Sequence, residues 1–238
     1  METKESLHEP GIEVEGDIQL AKVINVSMDA LLGSYRDDTI PGAGSGGLMS
    51  DGYAGNLLWD VETWMFPIFN MFYPTIARRI LDYRAKRRDE AAKLARSGKV
   101  DPFLPGRAFD GIAYPWMSAL SGAEENPGQN EDHLQGDIAL AFLQHWQATR
   151  DVEWLEAKGF PVLHDLARFW VSRADRDSDG SWHIRSTMSP DEYASNKTDP
   201  PYTNSVAKIS LMAAYDLAPI VGQTGNETFK TVANALPM

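Results

Sequence analysis

Cysteine is absent from all 238 residues, which rules out a disulfide framework, thiolate metal ligands and redox chemistry at sulfur. Basic charge is also scarce. The chain has 22 Lys and Arg against 34 Asp and Glu, a formal charge of −12. Nucleic acid and anionic membrane surfaces are therefore not expected partners, because phosphates are held by a surplus of Lys and Arg. No uninterrupted apolar run approaches the roughly 20 residues of a membrane span. The opening METKESLHEPGIEVEGD has no apolar stretch behind a basic flank, so no signal peptide is expected and a cytoplasmic location is the default. No repeat of fixed period is visible, which argues against a solenoid. What remains is 43% hydrophobic content, ample for the packed core of one large domain or two small ones. Neutral substrates suit this charge best. Acceptor patterns for glycosylation at Asn25, Asn196 and Asn226 are common by chance and carry little weight.

Helical periodicity dominates the pattern. Ile18, Leu20, Ala21, Ile24, Met28, Leu31 and Leu32 recur at helical spacing, predicting an amphipathic helix from about Asp17 to Tyr35. The Gly-rich IPGAGSGGLMSDGYAG follows; no Lys-Ser/Thr pair closes it and no strand precedes it, so it reads as an ordered loop and not a phosphate cradle. A buried aromatic helix is expected over residues 60 to 73. Pro74 then opens another, whose charged residues from Arg78 to Lys93 form a solvated face. Further helices are expected around Pro115 to Leu120, His133 to Thr149, Val152 to Ala174, Ser205 to Ile220 and in NETFKTVANALPM, with a short strand at Ser181 to Ser186.

Five stretches could carry chemistry. Trp59 and Asp60 stand at a loop-to-helix junction. Asp60 could cap the helix with the indole in the core, or the flat indole could meet a sugar face while the carboxylate accepts from its hydroxyls. Tyr114, Trp116, Glu124 and Glu125 could line a carbohydrate cleft or simply pack. His133 and Asp137 share one helix face at i, i+4; without a third ligand, a hydrogen-bonded pair is the expectation. DRDSDGSW begins like a calcium loop but has Ser186 where a bidentate Glu belongs, so a solvated acidic turn is expected. In S-P-D-E-Y, Pro190 could open a helical turn with Asp191 and Glu192 favoured by the backbone dipole. Alternatively, one carboxylate holds its surroundings while the other, partly desolvated, donates a proton to a leaving oxygen.

The ordered set GGLMSDGYAGNLLWDVETWMFP, AYPWMSALSGAEENP, HLQGDIALAFLQHWQAT and HIRSTMSPDEYASNKTDPPYTNSVAK resembles the catalytic domain of glycoside hydrolase family 65. This family includes acid trehalases, glucosidases of collagen glucosylgalactosyl-hydroxylysine, and inverting phosphorylases of maltose, trehalose and kojibiose. The resemblance implies an all-α fold, an (α/α)6 barrel of the six-hairpin glycosidase kind, with a glucosyl unit in its central cleft. It implies Glu192 as general acid, Trp59 and Asp60 gripping the glucosyl ring, and Asp191 and Trp116 as further binding residues. No cofactor or metal is implied. WDVETWMFP is closer to the hydrolases than to the phosphorylases, whose equivalent often reads W-D-T-E-I-F-M-L-P. The expected substrate is therefore a glucosyl disaccharide or glycoconjugate, cleaved with inversion. Phosphorolysis is the enzymatic alternative, and an inactive sugar-binding or interaction remnant is the alternative of another class. Two departures stand out. Met117 occupies the place of a common Glu in P-W-E-S. The roughly seven or eight helices of ordinary length also fall short of the twelve in a full barrel. Residues 1–11 are thus expected to form an extension and 12–238 the N-terminal half or so of a barrel. Its remainder, and the base that inversion needs, would come from a missing C-terminal half or a partner. Glu124 and Glu125 are candidates for that base in principle only.

Overall fold

The computed structural model describes residues 12–35, 44–45, 52–118, 121–122 and 130–238. The expected extension, the tip of the Gly-rich loop and the Glu124-Glu125 pair lie outside these residues. Helix α1 (Ile18–Gly33) starts at Asp17, whose carboxylate accepts the backbone N–H groups of Gln19 and Leu20 at 3.0 Å each, satisfying donors that the first turn leaves open. Its apolar stripe packs only partly. Ile18 and Leu20 are exposed, whereas Leu31 and Leu32 in the last turn pack against the core.

Three helical hairpins follow, built as two layers. A π-helical turn (Val61–Met65) runs into α2 (Phe66–Phe72), which is followed by α3 (Pro74–Lys86) and α4 (Arg88–Arg96). Helix α5 (His133–Thr149) is followed by α6 (Val152–Trp154), a second π turn (Leu155–Gly159) and α7 (Phe160–Arg173). Helix α8 (Pro201–Leu217) is followed by α9 (Glu227–Ala235). Helices α2, α5 and α8 pack in a row; α3, α7 and α9 form a second row behind it. This is half of an (α/α)6 barrel, three inner helices each returned by an outer one. Helices α5 and α8 approach closely at Gly136, where an added Cβ would stand 2.5 Å from the Val206 side chain. The missing side chain is what lets α5 and α8 meet.

Local chemistry sets the boundaries. Pro74, Pro161 and Pro201 sit in first turns, where the absent N–H costs nothing. Helix α8 therefore begins at Pro201, earlier than the apolar spacing alone suggests. Arg150, at φ 53°, ends α5, and the Asp151 carboxylate caps the next helix through the Trp154 N–H at 2.9 Å. The strand expected over 181–186 shortens to β2 (Trp182–His183), paired antiparallel with β1 (Asp175–Arg176). DRDSDGSW is thus the turn of a small hairpin, with Asp177 paired to Arg185 and Asp179 accepting from Ser181.

Two expectations are corrected. Pro115 to Ser118 form no helix; Ser118 instead makes a bridge with Leu57, its N–H donating at 2.9 Å and its carbonyl accepting at 3.0 Å. The charged face of α3 is not wholly solvated either. Arg84 is fully buried and reaches both oxygens of Glu62, at 2.6 and 3.1 Å, and Ser118 Oγ at 2.8 Å. Glu62 lies in the π turn of the inner row, so this ion pair fastens the outer helix to the inner one.

Candidate active site

The loops that lead into the three inner helices open at one end of the half-barrel, and the notable side chains gather there. Trp59 and Asp60 immediately precede the first π turn, His133 begins α5, and Tyr202 lies in the first turn of α8. His133 is the centre. The ring of Trp59 lies 5.2 Å away, Tyr202 5.4 Å and Trp116 6.2 Å, all nearly perpendicular to the imidazole. Trp116 is brought in by Gln135, whose side-chain oxygen accepts from the Tyr114 N–H and whose amide donates to the Tyr114 carbonyl, both at 2.8 Å. The amide of Gln135 thereby acts as one rung of a sheet, fastening the AYPW loop to α5.

Beneath the rings is a buried charge network. His133 Nδ1 lies 2.7 Å from Asp137 Oδ2, and Nε2 lies 3.0 Å from Glu131 Oε2. The Tyr202 hydroxyl donates to Asp137 Oδ1 at 2.7 Å. Burial disfavours the imidazolium, but the two carboxylates outweigh it and push the His133 pKa up to about 9. At neutral pH both ring nitrogens therefore donate. The expected His133–Asp137 hydrogen bond is present, with Glu131 as a third member that the sequence reading had not singled out. Burial also raises the Glu131 pKa, and the charges of Glu192 and Asp60 add to it. Asp60 shifts upward too, first through burial and then through Asp137. Its side chain makes no helix-cap hydrogen bond, so the capping alternative is set aside. Among the described residues no three His, Cys, Asp or Glu side chains are grouped to hold a metal ion.

The S-P-D-E-Y segment is the tip of a loop pinched off by a bridge between Thr187 and Lys197, with hydrogen bonds of 3.1 and 2.8 Å. Left-handed residues, Ser186 at φ 55° and Asn196 at φ 54°, bend both ends. The base is fixed to Asn130. Its carbonyl accepts from Met188 N–H and Thr187 Oγ, and its side chain donates to the Ser186 carbonyl, all within 2.9 Å. Pro190 sits in a bend and not in a first helical turn. The Asp191 carboxylate accepts the Tyr193 N–H at 3.2 Å, and its carbonyl accepts from Ala194 at 2.9 Å. Asp191 and Glu192 are both exposed.

Trp59 and the buried Trp116 thus flank His133, the charges of Asp60 and Glu192 act on Glu131 beside it, and Asp191 shapes the turn that carries Glu192. Glu131 and Tyr202 escaped sequence reasoning, and Asp137 entered it only as the hydrogen-bond partner of His133. For Glu131 the spacing E-D-H-L-Q-G-D, with four titratable side chains at one helix start, was the available signal. Trp64, 63% exposed, adds a further indole 5.7 Å from Trp59.

The model of the glycosyl hydrolase family 65 central catalytic domain matches residues 31–235. Kojibiose hydrolase of Flavobacterium johnsoniae is 35% identical over 99% of this chain and 34% of that protein. Protein-glucosylgalactosylhydroxylysine glucosidase of Dictyostelium discoideum is 36% identical over 95% of this chain and 32% of that protein. Kojibiose phosphorylase of Thermoanaerobacter brockii is 29% identical over 94% of this chain and 30% of that protein. A solved structure assigned as a kojibiose phosphorylase from the human microbiome superposes with a TM-score of 0.74 at 18% identity, covering 87% of this chain and 29% of that one; this match concerns the fold. The chain spans about a third of the length of the curated relatives it matches.

Proposed function

Because the chain belongs to glycosyl hydrolase family 65, we propose that it forms the N-terminal sector of a catalytic barrel that hydrolyses an α-glucosyl linkage with inversion. The substrate is a neutral disaccharide or glycoconjugate. Residues 12–238 supply three of the six hairpins, with 1–11 as an extension, and the other hairpins come from a further segment or a partner chain. The supporting observation is that Trp59 and Trp116 flank His133 at the inner-helix ends while the charges of Asp60 and Glu192 act on Glu131 beside it. A glucosyl ring lies against the indoles with its hydroxyls bonded to Asp60. Glu192 donates the proton to the glycosidic oxygen as the bond breaks. A water, deprotonated by a base roughly 6.5–9.5 Å from the acid, attacks the opposite face. That base belongs to the completing part of the barrel. So does the apolar cover that lets an acid hold its proton near neutral pH, since Glu192 is exposed in this chain.

Phosphorolysis is the second reading, supported by the kojibiose phosphorylase among the relatives. The test is glucose release from kojibiose, nigerose, maltose, trehalose and glucosylgalactosyl-hydroxylysine. It uses the purified chain, alone and with any polypeptide that co-purifies from its own cells, with and without phosphate. Phosphate-independent β-glucose release, lost in Glu192→Gln, is expected of the completed barrel. Release of a sugar phosphate only when phosphate is added replaces hydrolysis by phosphorolysis. Turnover that survives Glu192→Gln removes the acid assignment.

A further inference from the structure

Glu131 is only 3% exposed, and its two carboxylate oxygens differ. Oε2 is held by His133 at 3.0 Å. Oε1 is buried and has no hydrogen-bond partner among the described residues. An acceptor left without a donor in low dielectric is costly and rarely tolerated without a reason. The neighbours explain why no side chain satisfies it. Asp60 and Glu192 lie close enough for their charges to act on Glu131, and carboxylates accept without donating. Trp59, Trp116 and Tyr202 crowd with their rings the imidazole that holds the other oxygen of Glu131. His133 already supplies the cation, and three carboxylates repel an anion. A hydroxyl of a neutral molecule fits both the missing donor and the charge.

We propose that Glu131 is a substrate-binding residue whose Oε1 accepts a hydrogen bond from a hydroxyl of the glucosyl ring gripped by Trp59 and Asp60. His133, itself braced by Asp137, holds the other oxygen so that Oε1 is pre-aimed. The assignment rests on the mouth being a glucosyl subsite, and it predicts that uronates and sugar phosphates are refused there.

The probe is methyl α-glucoside with its 2-, 3-, 4- and 6-deoxy derivatives, titrated into the chain and its variants and followed by protein NMR. In Glu131→Gln the amide oxygen is claimed by the His133 Nε2–H and an NH2 donor replaces the charged acceptor, so methyl α-glucoside binds about tenfold or more weakly, the scale of a lost hydrogen bond to a charged group. One deoxy derivative loses a similar factor against the unmodified chain and nothing further against Glu131→Gln. That coincidence identifies the hydroxyl, and a purely structural role for Glu131 does not produce it. Equal binding by both proteins, or the same loss for every derivative in both, overturns the inference. If binding is lost in Trp59→Ala but kept in Glu131→Gln, only the Glu131 assignment falls. If the unmodified chain binds no glucoside, the subsite reading falls with it. Should Glu131→Gln fail to fold, the Glu131 carboxyl carbon of the labelled unmodified chain decides: its resonance shifts on adding methyl α-glucoside, and no shift refutes the proposal.

Discussion

The floor of the mouth and the arm above it are built in opposite ways. On the floor, His133 has two carboxylate partners, Asp137 bonds both His133 and Tyr202, and hydrogen-bonded partners lie up to 65 residues apart. On the arm, hydrogen bonds fix the base to Asn130, while Asp191, Glu192 and Tyr193 are exposed at the tip. Positions that must hold a ring in one orientation are over-determined. Glu192, the proposed proton donor, is presented on a braced loop, and in this proposal its surroundings are set by other parts of the barrel. The half-barrel is therefore organised for grip before it is organised for chemistry.

The strongest way to break this contrast is to attack what joins the first inner helix to its outer partner. Arg84→Met strands the buried Glu62 carboxylate, and loss of one partner from a buried pair costs about 3–5 kcal/mol. Urea denaturation checks it. Arg84→Met with Glu62→Leu is expected to recover most of the loss, since replacing a buried ion pair by apolar groups is often near neutral. No recovery in the double variant would assign the cost to packing around Tyr114 and Ser118 instead.

A second test uses the charge on the floor. In the folded chain the His133 pKa is about 9, against about 6.5 for an unfolded histidine. The fold prefers the imidazolium, so this stabilisation is complete below pH about 6.5 and is lost as pH rises through about 9. The difference amounts to about 3 kcal/mol. Asp101 also costs stability with rising pH, but in a lower window, because burial and Asp132 push its pKa up to about 6. Urea midpoints followed from pH 4 to 9.5 therefore separate the two. His133→Gln should flatten the alkaline decline and leave the acid one in place. An alkaline decline unchanged in His133→Gln would place its origin elsewhere.

What the sequence revealed divides along the same line. Helices α1, α5 and α7 were legible because their apolar residues recur at helical spacing, and Pro74 marked its own boundary. Trp59, Asp60 and Glu192 could be proposed from sequence because they sit in compact motifs. The floor was not, because Tyr202 completes a network begun 65 residues earlier at Asp137, and no local pattern reports so distant a partner. Arg84 misled for a related reason: an arginine in a charged helix reads as solvated until the opposite helix shows its carboxylate. The non-helical course of Pro190 depends on the distant anchor at Asn130, which overrides the helix-start chemistry of Pro-Asp-Glu.

The smallest expected change sharpens the comparison most. Glu192→Gln removes a carboxylate that has no hydrogen bond among the described residues and lies exposed at the tip, so stability should move by less than about 0.5 kcal/mol. The same substitution is expected to abolish hydrolysis by the completed barrel, because an amide cannot donate the proton that the leaving oxygen needs. Stability comes from urea midpoints of this chain and turnover from glucose release by the completed enzyme, so the two effects are read independently. A large loss of stability would show that the tip is anchored as firmly as the floor and dissolve the contrast. Unchanged stability with lost turnover would mean that the arm serves chemistry alone, and that the fold gives up nothing when its acid is removed.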